Sequence, residues 1–328
     1  MLMKNKNSIT ASAPGKLMLT GGYAVVHGQP TIVTAVDQSL SVTVQKNGQD
    51  TFHLYAPDLG IDAYSKTIDD LGKKELPKAV RFVEILYKNF LERFPQSEGI
   101  NVTTNSEFSS SFGFGSSSAV TVAFAKALTS LYELDFSNDQ LFDICYQAVI
   151  EVQGVGSGFD IAAAIWGGTL YYVSPAKIVK PIVLEKLPIV VGYTGIKADT
   201  PTLIRMINSD LNRKPAEIKQ VFSDIGQISN DLEEKLLASD WSAVGGLLNS
   251  HQQQMRELGV SSIELERLIN ASLDAGALGA TLSGAGGGDC MVALVDDKSR
   301  KKVGLAIEEA GGRVIEVNLQ APGVRIEN

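Results

Sequence analysis

Glycine and hydroxyl residues crowd one short run, Glu107-Phe-Ser-Ser-Ser-Phe-Gly-Phe-Gly-Ser-Ser-Ser-Ala119, and an apolar helical pattern follows at once. Gly113 and Gly115 allow a tight turn and a close backbone approach to a ligand, with no Cβ in the way. Ser116, Ser117 and Ser118 fall where the helix begins. The first N–H groups of a helix lack internal partners and carry the positive end of its dipole. A loop of this kind entering a helix is therefore a place to hold phosphate. A flexible linker or a serine N-cap is the competing reading of the same string.

Three further glycine clusters change that balance: Ser12-Ala-Pro-Gly-Lys16-Leu-Met-Leu-Thr-Gly-Gly-Tyr23, Gly154-Val-Gly-Ser-Gly-Phe-Asp160 and Ser283-Gly-Ala-Gly-Gly-Gly-Asp289-Cys290. Each lies at a junction between apolar elements, so the four loops point to one site assembled from distant segments. Asp160 is a candidate base, since a carboxylate beside a hydroxyl can accept or orient its proton. It would equally serve to cap a helix over Ile161–Trp166. Lys16 follows Pro14-Gly15, a turn that would fix its direction. It is placed to pair with Asp160 or to neutralise a transferred phosphoryl group, although the ordinary fate of lysine is a solvated surface.

Other phosphate and hydrolase chemistries are poorly represented. G-x-x-x-x-G-K-[ST] is absent, as are the H-R-D and D-F-G strings of protein kinases. No G-x-G-x-x-G opens a β-α-β unit near the start, which weakens a dinucleotide reading. The three histidines, His27, His53 and His251, form no zinc pattern with the cysteines. G-x-S-x-G is only approached by Gly113-Phe-Gly-Ser-Ser.

These candidates must be positioned by a scaffold of 328 residues, enough for two domains or one large one. The composition, 44% hydrophobic and 20% charged, is that of a globular chain able to bury a core. A net charge of −8 and the lack of any Lys/Arg-rich block argue against nucleic acid as a partner, but not against a small anion in a local basic pocket. Cys145 and Cys290 make no disulfide framework, so a reducing cytoplasm is the expected location. The polar run Met1 to Ser12 lacks the apolar core of a signal peptide, and no 18-residue apolar stretch suggests a membrane span.

The periodicity predicts strands over Ser39–Gln45, Ile100–Thr104, Gly168–Val173 and Ile178–Tyr193, the last broken near Pro181. Helical spacing covers Leu76–Phe94, Ala119–Tyr132 and Phe136–Val152, and most of the chain from Thr200 to Gly276. Ser261-Ser-Ile-Glu264 fits a capping box. Strands return at Ala280–Leu282 and Met291–Val295, then a helix near Ser299–Ala310 and a strand at Arg313–Val317. This order predicts an α+β protein of two lobes with a cleft between them: a mixed α/β lobe over 1–195, and a helical plus β-α-β lobe over 196–328.

The motifs S-A-P-G-K-L at 12–17, G-F-G-S-S-S-A at 113–119 and S-G-A-G-G-G-D-C at 283–290, in that order, resemble those of the GHMP kinases. The resemblance spans nearly the whole chain and implies the two-lobed GHMP kinase fold and an ATP- and Mg²⁺-dependent phosphotransferase. The mevalonate-pathway branch is the most similar. Tyr23-Ala-Val-Val-His27-Gly, Val155-Gly-Ser-Gly-Phe-Asp160 and Gly286-Gly-Gly-Asp-Cys290 look most like its phosphomevalonate kinase members, with mevalonate kinases next. Tyr193-Thr-Gly-Ile-Lys-Ala-Asp-Thr200 and Leu258-Gly-Val260 fit both.

The resemblance implies Asp160 as catalytic carboxylate with Lys16 beside it. It places Gly113, Gly115, Ser116, Ser117 and Ser118 around the nucleotide phosphates. Tyr23, His27, Ser157, Gly158, Gly286, Gly287 and Asp289 fall in its acceptor-side segments, and Lys197 and Arg205 (with Lys214) are candidate cations for an acceptor phosphate. Ser118 or Ser117 is the expected magnesium ligand. Mevalonate kinases supply a glutamate eleven residues before the catalytic aspartate, where this chain has Val149, leaving Glu151, then Glu107, as substitutes. The implied reaction converts 5-phosphomevalonate to 5-diphosphomevalonate. The alternatives are phosphorylation of the primary alcohol of mevalonate, an ATP-dependent decarboxylase (disfavoured by Lys16), or a non-catalytic sensor. A monomer or homodimer is expected.

Overall fold

The computed structural model describes residues 7–57, 60–73, 76–77 and 80–327. Two long segments open the fold as an antiparallel pair, β1 (Ser8–Thr20) and the Val- and Thr-rich β2 (Thr31–Lys46). They anchor a sheet that also holds β3 (Thr51–Ala56), β4 (Ile61–Thr67), β5 (Ile100–Ser106), β6 (Thr169–Val173), β7 (Ile178–Ile182) and β12 (Arg325–Glu327). Its main order is β12-β1-β2-β5-β3-β4, while β6 pairs the first residues of β2 and carries β7. All pairs are antiparallel except β3 with β5.

Helices α1 (Arg81–Arg93), α2 (Ser116–Leu131), α3 (Asn138–Gln153) and α4 (Phe159–Trp166) accompany this sheet. α2 is rich in Ser, Ala and Thr and is buried on nearly every side, against β1 and β2. Small side chains permit that close approach, and a helix apolar all round belongs in a core. The second sheet has the order β11-β8-β10-β9, formed by β8 (Ile189–Tyr193), β9 (Gly279–Leu282), β10 (Cys290–Leu294) and β11 (Arg313–Ile315). With it go α5 (Thr200–Arg213), α6 (Pro215–Leu237), α7 (Trp241–Glu257), α8 (Ile263–Asp274) and α9 (Arg300–Glu309).

Strand β8 pairs with β10 and β11, so the second sheet takes its first strand at Ile189, ahead of the expected division at 195, and the chain's last strand, β12, returns to β1. Strand β8 lies between β10 and β11, which gives the split β-α-β arrangement expected of the end of the chain. Pro181 does not break its strand: β7 is an edge strand bonded only to β6, where a missing N–H is tolerated, and the break falls after Ile182. The capping serine of α8 is Ser262, one residue later than expected, because Ser261 donates instead to Glu266 at 2.6 Å. The helix expected from Leu76 begins at Arg81, and 78–79 lie outside the described residues.

Candidate active site

Lys16 sits inside β1 and not on a turn. A register shift between Pro14 and Gly15 bends the strand there. A Cβ on Gly15 would lie 3.1 Å from both Phe114 Cβ and Val36 Cγ2. Glycine thus lets the serine loop press onto the strand, where the Lys16 N–H donates to the Phe114 carbonyl at 3.0 Å. The Lys16 side chain is buried, 7% exposed as a residue. Its Nζ donates to the Gly113 carbonyl at 2.9 Å and lies 3.1 Å from Asp160 Oδ1.

Asp160 stands in the first turn of α4. The backbone before it is held from behind by two tyrosines. Tyr146 donates to the Gly156 carbonyl at 2.9 Å, and Tyr172 donates to the Ser157 carbonyl at 2.6 Å. A Cβ on Gly158 would run into Phe142 and Tyr172 at 2.8 Å. Ser157 is itself buried. Asp160 Oδ1 is buried and makes no well-directed hydrogen bond, its contact with Lys16 being an ion pair, while a third of the side chain is open. A carboxylate in this state retains capacity for an incoming hydroxyl proton.

The third component is the N-terminus of α2. Gly115 caps it at φ +76°, a left-handed conformation that suits glycine. A Cβ there would lie 3.1 Å from Lys16 Cε and 3.5 Å from Asp160 Oδ1, so helix start, lysine and aspartate converge on one place. Ser118 N and Ala119 N both donate to the Gly115 carbonyl. No side chain caps the helix and no acidic residue lies in its first turn, which leaves the N–H groups of Ser116 and Ser117 for an anion. Ser118 is buried. Helix dipole, lysine and carboxylate together suit transfer of a phosphoryl group to a hydroxyl.

The loop from Ser283 to Asp289 borders this place. Met18 N–H donates to Ser283 Oγ at 3.0 Å, and Gly287 N–H donates to the Val260 carbonyl at 2.7 Å. A Cβ on Gly286 would lie 2.2 Å from that same carbonyl. Burial pushes the Asp289 carboxyl up, while the Ala198 N–H and the charges of Lys16 and Lys197 pull it down.

Several expected residues are placed otherwise. Tyr23 is buried and its hydroxyl donates to the Ala285 carbonyl at 2.8 Å, which fastens the glycine loop. His27 is exposed and stacks on Phe222 with centroids 4.6 Å apart. Lys197 is exposed but close enough for its charge to reach Asp289. Arg205 lies on the open side of α5 and donates to Thr202 Oγ1 at 2.7 Å; Lys214 pairs with Glu217 at 3.1 Å. Glu151 is not at the serine loop: Lys88 Nζ at 3.0 Å and Asn89 Nδ2 at 2.9 Å, both on α1, take its two oxygens. Glu107 accepts from the Ser39 N–H and hydroxyl. The spacing of α3 explains the placement of Glu151, because Val149 is buried and a residue two positions on turns to another face.

Sequence reasoning missed Tyr146, Tyr172 and a buried polar network at His251. The Gly21 N–H donates to His251 Nε2 at 3.3 Å, which assigns the other nitrogen, 2.8 Å from Thr281 Oγ1, as the donor. Thr281 donates in turn to Gln252 Oε1 at 3.2 Å. Burial lowers the His251 pKa to about 3, keeping the ring neutral. Only its position in an apolar helical stripe, where a histidine is out of place, signalled it.

Residues 79–168 match the family described as GHMP kinases N terminal domain, and residues 232–313 match GHMP kinases C terminal. The chain belongs to the GHMP kinases, and is an ATP-dependent kinase of that family. A mevalonate kinase of Thermococcus sibiricus is 32% identical over 333 residues, covering 98% of both chains. The mevalonate kinase structure from Methanococcus jannaschii superposes with a TM-score of 0.82 at 21% identity, over 97% of this chain and 100% of that one. The phosphomevalonate kinase of Streptococcus pneumoniae, in complex with phosphomevalonate and AMPPNP, superposes with a TM-score of 0.80 at 19% identity, over 95% and 99%. These two likenesses establish the fold. Among the described residues no helix is long and apolar enough to cross a membrane.

Proposed function

We propose that this kinase transfers the γ-phosphoryl group of ATP to the primary hydroxyl of mevalonate. The observation that carries the transfer chemistry is the Lys16–Asp160 pair set under the uncapped start of α2. The choice of acceptor is supported by the near full-length relatedness to mevalonate kinases at 32% identity. The features that favour phosphomevalonate include Asp289, whose carboxylate accepts from the Ala198 N–H, and cations that lie exposed on α5 and its approach. A second phosphate beside ATP calls for at least one further cation; Lys197 and Arg205, the candidates for it, are both exposed.

In this reading Asp160 receives or orients the hydroxyl proton while the alcohol oxygen attacks the γ-phosphorus and ADP departs. Lys16 holds Asp160 in place and offsets the negative charge of the transferring group. The N–H groups and hydroxyls of Ser116, Ser117 and Ser118 hold the nucleotide phosphates. The serine hydroxyls suit a hard cation, and the described residues hold no cluster of three His, Cys, Asp or Glu for a metal. The residues that would hold magnesium beside the nucleotide are Ser117 or Ser118, through the hydroxyl. When bound it neutralises phosphate charge.

The test is coupled ADP release with mevalonate and 5-phosphomevalonate side by side. Turnover is expected on mevalonate, and faster turnover on 5-phosphomevalonate would reverse the assignment of acceptor. Ser117→Ala and Ser118→Ala should each raise KM for ATP by roughly 10-fold, the scale of a lost hydrogen bond to a charged group, with melting temperature little changed. A capping role alone would lower the melting temperature and spare nucleotide affinity, which titration of the same variants would reveal.

A further inference from the structure

We propose that Asp289 is a positioning residue that clamps the serine loop to the segment after β8 and so sets the place of the nucleotide phosphates. The inference rests on the assignment of the serine loop to nucleotide, not on the identity of the acceptor.

Asp289 ends the glycine loop in a left-handed conformation, φ +57°, where a glycine would sit with less strain. A side chain is kept there, and three segments meet on it. Its Oδ1 accepts the Ala198 N–H at 2.9 Å, and its own N–H donates to the Ile196 carbonyl at 2.7 Å. Its carbonyl accepts both the N–H and the hydroxyl of Thr194 at 3.0 Å. Residues 194–198 are thus bound to it by four hydrogen bonds. The far side of the carboxylate presses on Gly113. A Cβ built on Gly113 would lie 2.7 Å from Asp289 Oδ2 and 3.0 Å from Asp289 Cβ, and the nearest atoms around it all belong to Asp289.

Gly113 is also the residue whose carbonyl receives the Lys16 ammonium, and two positions later Gly115 starts α2. A side chain wedged behind Gly113 therefore fixes the approach of the whole loop to Lys16. Within this arrangement Gly113 is glycine for two reasons: its φ of +73° and the carboxylate behind it. Removing the carboxylate leaves the first reason and abolishes the second, so the two positions must be coupled.

The experiment measures binding of Mg²⁺ with a non-hydrolysable ATP analogue by calorimetry, without acceptor, and melting temperatures of the same samples. Asp289→Gly relieves the backbone strain while removing the wedge. It should weaken analogue binding about 5-fold or more without lowering the melting temperature. Asp289→Asn keeps an oxygen for the Ala198 N–H and should bind within about 2-fold of the unaltered protein. Gly113→Ala should weaken binding at least 10-fold, and by at least 5-fold less when introduced into Asp289→Gly, since the collision is then gone. The proposal is overturned if Asp289→Gly binds the analogue normally, or if Gly113→Ala costs the same in both backgrounds. Failure to phosphorylate mevalonate would leave these binding results untouched and would count only against the acceptor.

Discussion

Asp160→Asn is expected to lower kcat on the best acceptor by roughly 10²-fold or more, the scale of a positioned base in proton transfer. The substitution keeps the shape of the side chain. It removes the charge that faces Lys16 at 3.1 Å and the oxygen able to take a proton. Lys16 keeps its bond to the Gly113 carbonyl, and a third of the aspartate is open to solvent, so the fold should survive the change. KM for ATP should move little, because the N–H groups of Ser116 and Ser117 are unaffected. Near-normal kcat would make Asp160 a structural partner of Lys16, since its side chain caps no helix, and would remove the centre of the proposed site.

Acid should destabilise the fold through His251 well before the carboxylates titrate. The ring is neutral in the fold, with its pKa lowered to about 3 by burial, whereas an unfolded histidine titrates near 6.5. Above about pH 6.5 neither state carries the proton and the group is silent. Below that the unfolded chain binds a proton the folded chain refuses, so stability falls as pH drops towards 3. The loss approaches about 1.4 kcal/mol per pH unit, or about 2 kcal/mol between pH 6.5 and 5. Urea unfolding across that range should show this slope in the unaltered protein. His251→Asn should be less stable at pH 7.5, having lost its bonds to Gly21 and Thr281, yet flatter with pH. An equal slope in both would mean that His251 is protonated in place.

Much of the site is legible in the amino-acid sequence, because its chemistry lies in short local strings. Gly115 followed by three serines needs only helix geometry to become an anion site, and Asp160 and Lys16 stand out by their glycine-rich settings. Periodicity places α2, α3, β5 and β6 because each packs one-sidedly or is buried throughout. The resemblance carried by three ordered motifs reaches the family, but single positions within those motifs favour a different member from the one that whole-chain relatedness supports. Asp289 illustrates why: its bonds are to residues 194–198, which sequence spacing does not show.

What only the tertiary structure decided are matters of direction and of distant partners. Sequence alone determined that glycine-flanked Lys16, Asp160 and a serine-led helix exist in this chain. It did not determine that Lys16 lies within a bulged strand, that Glu151 turns to α1, or that β8 joins the second sheet while the last strand returns to the first. A helical position's face depends on which neighbour it packs against, and a strand's sheet on pairings hundreds of residues apart, as between Thr10 and Glu327. Those are set by burial of the two cores as a whole, and no local window of sequence contains them.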